Sequence, residues 1–306
     1  MYEFDKLISS IDSQVTTDQR DTEIVYNPSS PSYFDINRFI DNIRKKSLEE
    51  NRAYFENSHF INAYDITSSC IRQTVYRLLK VPVVIKEDVW LPVSFRAKLG
   101  KAIHDFIQSN YEFTEVEISM RVPSIRISLR IDALINNNVL VEIKSLPFKD
   151  YIKVVKTKTP RISDFKQMVL YKYILENYLS EIKQTPVSNN KVKPKLDNYN
   201  IQYFQLIYVA HDVLSSDFST YSEMMKYISN FKKIVDSRHN QFFFISSLDF
   251  DLSSLNLESY VSEIVEKISE INKFVSSNKI PPINHKFIDK KQCYFCQFSQ
   301  ICSKDS

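Results

Sequence analysis

The chain has 306 residues, is 43% hydrophobic and 25% charged, and sets 40 Lys and Arg against 37 Asp and Glu for a net charge of +3. Such a length buries a genuine core in one large domain or two small ones, and so even a charge balance is silent on a nucleic-acid partner. Its single glycine, Gly100, excludes a P-loop, a dinucleotide-binding turn and a kinase phosphate loop, each of which needs several.

The first thirty-odd residues are polar and read as a lead-in through Asn27 to Pro31, followed by a charged amphipathic helix over roughly Tyr33 to Glu56. Met1 to Lys6 has neither the basic region nor the apolar stretch of a signal peptide, and no later run reaches ~18 apolar residues, so a cytoplasmic, non-membrane protein is expected. Asp65, Thr67 and Ser68 offer caps for a helix carrying Cys70, Arg72 and Tyr76. Phe95 to Asn110 forms a further helix, with Gly100 and His104 one turn apart and the glycine admitting a close backbone neighbour.

The period then changes from helical to alternating. Val116 to Met120 and Ser124 to Asp132 predict strands, the second with Ile125, Ile127, Leu129 and Ile131 on one face and Arg126, Ser128, Arg130 and Asp132 on the other. Asn136 to Asn138 predicts a three-residue hairpin loop, because asparagine tolerates the left-handed conformation for which this chain has no glycine to spare. The strand Val139 to Lys144 follows, and pairing Ile135 with Val139 sets Asp132 opposite Glu142. A basic loop leads to a helix over Asp164 to Ser180, with Gln167 and Tyr171 one turn apart. Lys183 to Asn200 reads as an inserted linker, Tyr203 to Ala210 as a buried strand, Tyr221 to Val235 as a helix, Gln241 to Ser246 as a strand and Ser259 to Val275 as a helix. Pro281 and Pro282 then stop helical structure. One α/β domain with helical additions covers these elements.

Asp132, then Glu142 and Lys144, form the pattern of a two-stranded metal site, in which adjacent strands supply carboxylates to a hard cation such as Mg²⁺ or Mn²⁺ and the lysine positions or deprotonates a water. The same residues also read as an exposed cross-strand charge cluster. His104 can complete the coordination sphere or serve as a boundary residue of its helix. Cys293, Cys296 and Cys302, with Cys70 far upstream, supply four thiolates and leave none over, which suits an iron–sulfur cluster or a tetrahedral zinc. Lys149, Lys153, Lys156, Lys158 and Arg161, interleaved with Phe148 and Tyr151, make a mobile basic segment able to grip a nucleic-acid backbone and stack a base.

In chain order, Ser68-x-Cys70-x-Arg72-x3-Tyr76, Gly100-x3-His104, Asp132, Glu142-x-Lys144, Gln167-x3-Tyr171 and Cys293-x2-Cys296-x5-Cys302 resemble one family, the RecB-like nucleases of the PD-(D/E)XK superfamily with an iron–sulfur staple, and most of all its CRISPR-associated exonucleases or their longer archaeal sister group. The resemblance implies a restriction-endonuclease-like α/β core, a mixed sheet flanked by helices, over 64–280 with an insertion near 183–200. A helical extension over 1–63 precedes it and a cysteine tail over 281–306 follows. It further implies that His104, Asp132, Glu142 and the Ile143 carbonyl bind the catalytic Mg²⁺ or Mn²⁺, that Lys144 activates water, and that Gln167 and Tyr171 form an accessory catalytic motif. Cys70, Cys293, Cys296 and Cys302 would ligate a [4Fe-4S] cluster. The implied activity is exonucleolytic hydrolysis of single-stranded or overhanging DNA during spacer acquisition, with the CRISPR integrase and its small companion subunit as partners. The alternative is a largely non-catalytic DNA-end-binding subunit of the same complex.

Overall fold

The computed structural model of the chain describes residues 36–57, 59–83, 87–110, 116–178, 183–185, 199–212, 245–288, 293 and 296–303. It divides into two units, Met1–Asn42 and Ile43–Ser306. Of the first, only the opening of helix α1 (Ile36–Asn57) is described; the remaining elements all belong to the second.

Strand β1 (Phe60–Ile61) leads into a short helix α2 (Ala63–Thr67), whose start is a reciprocal cap: Asn62 Oδ1 accepts from the Asp65 N–H at 3.0 Å, and Asp65 Oδ2 accepts from the Asn62 N–H at 2.9 Å. Asp65 and Thr67 therefore belong to this extra helix rather than capping the next. Cys70 is itself the N-cap of α3 (Ile71–Leu78) and makes no side-chain capping bond. The two helices are joined by a buried ion pair, Arg77 Nη2 to Asp65 Oδ2 at 2.5 Å, while Arg77 Nη1 donates to the Phe60 carbonyl at 2.8 Å. Helix α4 (Glu87–Asn110) begins a good two turns earlier than the periodicity suggested. Gly100 faces a side chain, not a backbone: a Cβ there would stand 2.9 Å from Ser145 Oγ.

The β-structure forms two four-stranded mixed sheets where a single one was expected. The first, in order β1-β3-β2-β6, pairs β3 (Ile125–Ile131) antiparallel with β2 (Val116–Val122) and parallel with β1. Its edge β6 (Lys183–Thr185) lies inside the supposed linker, because Gln184 and its neighbours pair with Glu117 to Ser119; residues 186–198 lie outside those described. The second sheet runs β4-β5-β7-β8. In it β5 (Val139–Pro147) is antiparallel to β4 (Ala133–Ile135) and parallel to β7 (Tyr203–Asp212), which pairs with β8 (Ile245–Asp251). The Asn136–Asn138 loop has the expected form, with φ of 50° at Asn136 and 57° at Asn137, and Ile135 pairs with Val139. Of the predicted strand over 241–246, Ile245 and Ser246 lie in β8 and the rest falls outside the described residues, as does the predicted helix over 221–235.

The basic segment after β5 is not a loop. It forms helix α5 (Phe148–Thr157), with Phe148 and Tyr151 only 1% and 2% exposed and the Tyr151 hydroxyl 2.8 Å from Ser246 Oγ, so neither ring is available to stack a base. The lysines of this helix take its outer face by the ordinary logic of an amphipathic element. Lys158 closes it in a left-handed conformation, and α6 (Ile162–Asn177) follows, buried along both Phe165, Val169 and Met168, Tyr171. Helix α6 packs between α2 and α7 (Glu258–Ser276), and α7 ends before the two prolines, with Asn278 at φ 52°. In the tail, Phe298 stacks on Tyr76 of α3 at 5.3 Å between centroids, ahead of the single-turn helix α8 (Ser299–Cys302). No described helix is long and apolar enough to cross a membrane.

Replacing Arg77 with Leu leaves Asp65 buried without its cation and is expected to cost about 3–5 kcal/mol of unfolding free energy, whereas Arg77→Leu with Asp65→Leu costs less than the single change. Denaturant unfolding of both variants checks this.

Candidate active site

Asp132 is the bend residue between β3 and β4, where the chain passes from one sheet to the other. It lies outside the ladder, so its carboxylate substitutes for a backbone partner: Oδ2 accepts from the Ile143 N–H at 2.7 Å, and its carbonyl accepts from Gln108 Nε2 of α4 at 3.1 Å. The side chain is thereby buried, not on the wet face that strict alternation suggests. The other oxygen, Oδ1, lies 3.4 Å from His104 Nδ1, which α4 presents from the turn after Gly100. Ile143 packs its side chain with Ile107 and Val209, pinning β5 to α4.

Glu142 stands on β5 beside Asp132 and is 3% exposed. Its Oε1 accepts from Lys144 Nζ at 2.6 Å and from Gln167 Nε2 at 2.7 Å. Gln167 Oε1 accepts a second Lys144 bond at 2.8 Å, Gln167 Nε2 also donates to the Tyr171 hydroxyl at 2.5 Å, and that hydroxyl donates to the Arg130 carbonyl at 2.7 Å. The structure thus joins Glu142, Lys144, Gln167 and Tyr171 in one bonded network, and Asp132, held by the Ile143 amide, lines the same cavity with His104 beside it. Glu142 Oε2 is buried and accepts no hydrogen bond among the described residues. A buried carboxylate oxygen without a donor is costly unless something positive takes it.

Burial pushes the Glu142 carboxyl up to about 8; Lys144 opposes this and the Asp132 charge adds to it. Burial also draws the Lys144 ammonium down, but Glu142, Asp164 and Asp132 pull harder together and leave it raised. Burial likewise drives the Tyr171 hydroxyl far above its ordinary range, so it acts as a neutral donor.

Among the described residues no three His, Cys, Asp or Glu side chains converge closely enough to enclose one metal ion, so closing His104, Asp132 and Glu142 on a shared cation takes a side-chain adjustment. The chemistry of the set nevertheless fits a hard divalent ion: among the described residues Glu142 Oε2 has no donor and Asp132 Oδ1 has the His104 imidazole beside it, and both belong to carboxylates whose second oxygens are anchored. Ile143 enters through its amide, bound to Asp132.

Asp164 carried no motif, and Arg161 entered only as the last cation of the basic segment. Arg161 and Asp164 line the same cavity, of about 900 Å³, as His104, Asp132, Glu142 and Lys144. The signal was their i, i+3 spacing at the start of α6.

The cysteines lie at a second place. The Cys296 thiol is pushed up to about 11, by burial first and then by the charges of Cys70, Cys293 and Cys302, so the four share one neighbourhood without closing on a common ion as placed. Cys296 and Cys302 pack against the Tyr76–Phe298 pair. Lys267 Nζ donates to the Ser69 carbonyl at 2.7 Å, fixing the peptide before Cys70, and burial draws that lysine down to about 8.

No protein-family model and no curated protein matches the chain. Among solved structures it is similar to the crystal structure of SSO0001, at 15% identity over 89% of this chain and 98% of that one with a TM-score of 0.43. It is also similar to LHK-Exo, an alkaline exonuclease from Laribacter hongkongensis, at 13% identity over 78% of this chain and 95% of that one with a TM-score of 0.38. The complex of LHK-Exo with dAMP gives 12% identity, 74% and 95% coverage and a TM-score of 0.39. At these scores the likeness assigns neither a family nor an activity.

The raised Glu142 sets the sign of two pH dependences. Without metal the folded state holds a proton that the unfolded state gives up, so this group's stabilising contribution falls as pH climbs from about 4.5 through about 8. A cation entering below that range displaces the proton, so Mn²⁺ affinity rises with pH by up to about tenfold per unit and levels off once Glu142 is ionised. Calorimetric titration in two buffers of different ionisation enthalpy measures the released proton; a flat affinity across the range contradicts the assignment.

Proposed function

We propose that the protein is a divalent-metal-dependent deoxyribonuclease of the PD-(D/E)XK kind that its motif order resembles. The observation that carries this reading is the buried, uncommitted Oε2 of Glu142, set beside Asp132 while Lys144 and Gln167 hold the other oxygen. His104, Asp132 and Glu142 would hold Mg²⁺ or Mn²⁺, with the Ile143 carbonyl as the further ligand that the resemblance implies. Bound there, the ion would polarise a phosphate oxygen and make an attacking water more acidic.

The chain's own residues supply the rest. Lys144 is kept protonated by Glu142 in spite of burial. Neutralising Glu142 would remove the strongest upward pull on this ammonium and leave only the Asp164 and Asp132 charges to oppose burial, which brings Nζ closer to a group able to take a proton from water. Gln167 bonds both members of the pair and fixes their separation, and Tyr171 fixes Gln167 through the Arg130 carbonyl.

The same reading gives Cys70, Cys293, Cys296 and Cys302 a [4Fe-4S] cluster of structural role, supported by their shared neighbourhood and by the stacking of Phe298 on Tyr76. By resemblance, the substrate is single-stranded or overhanging DNA trimmed for CRISPR spacer acquisition, and the partners are the CRISPR integrase and its small companion subunit.

Anaerobically purified protein is expected to be brown, to contain iron and acid-labile sulfide, and to degrade end-labelled single-stranded DNA with Mg²⁺ or Mn²⁺ but not after chelation. Lys144→Ala and Asp132→Ala should each lower the rate by at least about a hundredfold while DNA binding persists. Equal cleavage by the variants overturns the catalytic assignment, and zinc in place of iron overturns the cluster.

A further inference from the structure

We infer that Arg161 holds a phosphate of the substrate strand, the one adjoining the phosphate being cut; this rests on the nuclease reading above. Five cationic residues lie between β5 and α6, but Lys149, Lys153, Lys156 and Lys158 are exposed away from the cavity, and Arg161 alone of the five lines it.

Its guanidinium is held along one edge. Nε donates to Asp164 Oδ2 at 2.7 Å and Nη2 to Asp164 Oδ1 at 2.9 Å, a parallel two-bond pair. Asp164 is fixed in turn, being 3% exposed, with Oδ2 also accepting from the buried Tyr208 hydroxyl at 3.0 Å. The Arg161 amide donates to that same hydroxyl at 3.3 Å, so backbone and side chain are tied to one point on β7. Two bonds use two of the five guanidinium N–H groups, and the side chain remains 41% exposed at the cavity.

The pair compensates the buried Asp164, and that need is met by one edge of the guanidinium alone. Here the sunken carboxylate orients a planar donor whose remaining edge is available, the arrangement that suits a phosphate's two oxygens. The cavity also needs such a group. Asp132, Glu142 and Asp164 crowd one wall of it, and an anionic strand must be compensated where it passes them. Of the other cations lining the cavity, Lys144 is engaged with Glu142 and Arg130 belongs to β3, whereas Arg161 presents a guanidinium edge already oriented by Asp164 to meet the neighbouring phosphate.

The test is cleavage of a single-stranded oligonucleotide by the full chain with Mn²⁺, with one uncharged methylphosphonate walked along the linkages nearest the cut. In the wild type one flanking position should raise KM about tenfold or more. Arg161→Gln should raise KM on the natural strand by a similar factor, and the methylphosphonate at that position should then add nothing, as a closed cycle requires. Arg161→Lys should recover part of the loss. If Arg161→Gln melts early because Asp164 is orphaned, Arg161→Gln with Asp164→Asn removes that charge and must show the same KM shift and the same lost sensitivity. A wild-type KM in these variants, or a methylphosphonate penalty that adds in full at every position, overturns the inference and leaves the nuclease reading intact. A wild-type chain that cuts no strand overturns both.

Discussion

The Asp132 carboxylate that accepts the Ile143 N–H does the work a ladder bond would do at the seam between two sheets. Where β3 ends and β4 begins, the chain turns from one sheet to the other, and a buried amide left open at such a turn would cost as much as a lost hydrogen bond. Asp132 closes that amide and, in doing so, is itself drawn out of water and set against Glu142. One side chain thus closes the seam and lines the cavity. The burial that raises Glu142, the opposing charge that keeps Lys144 protonated and the hydrogen bonds that fix Gln167 all follow from this seam.

Much of this was readable before any coordinates. The alternation from Ile125 to Ile131 and the asparagine loop fixed a strand, a hairpin and its register, since a period of two and a left-handed turn are local properties of the residues concerned. Spacing alone then brought Asp132, Glu142 and Lys144 together, and helical spacing put Gln167 and Tyr171 on one side of α6. The division into two sheets was not legible, because a single bend at Asp132 decides it and nothing in the alternation marks a bend. Nor was α5. Lysines drew attention to the segment after β5, but Phe148, Tyr151, Ile152 and Val154 form a buried stripe, and the charge is simply the other side of that helix.

The site's second tier escaped sequence reasoning for a related reason. Asp164 reads as an ordinary first-turn carboxylate of α6, favourable there for the helix dipole. Only the approach of Tyr208 from β7, a long way on in the chain, shows that it is buried and immobilised. Pairings set by tertiary approach carry no local signature. The same holds for Lys267, whose apolar surroundings on α7 gave no hint that its ammonium reaches the Ser69 carbonyl.

The stacking of Tyr76 on Phe298 carries a consequence for assembly. One ring belongs to the first helices of the larger unit and the other to its closing segment, so this stacking, unlike the contact of Tyr76 with Arg72 in its own helix, joins residues more than two hundred positions apart. A contact between residues so far apart in the chain closes a very long loop, so it forms at little entropic cost only once the intervening elements are in place.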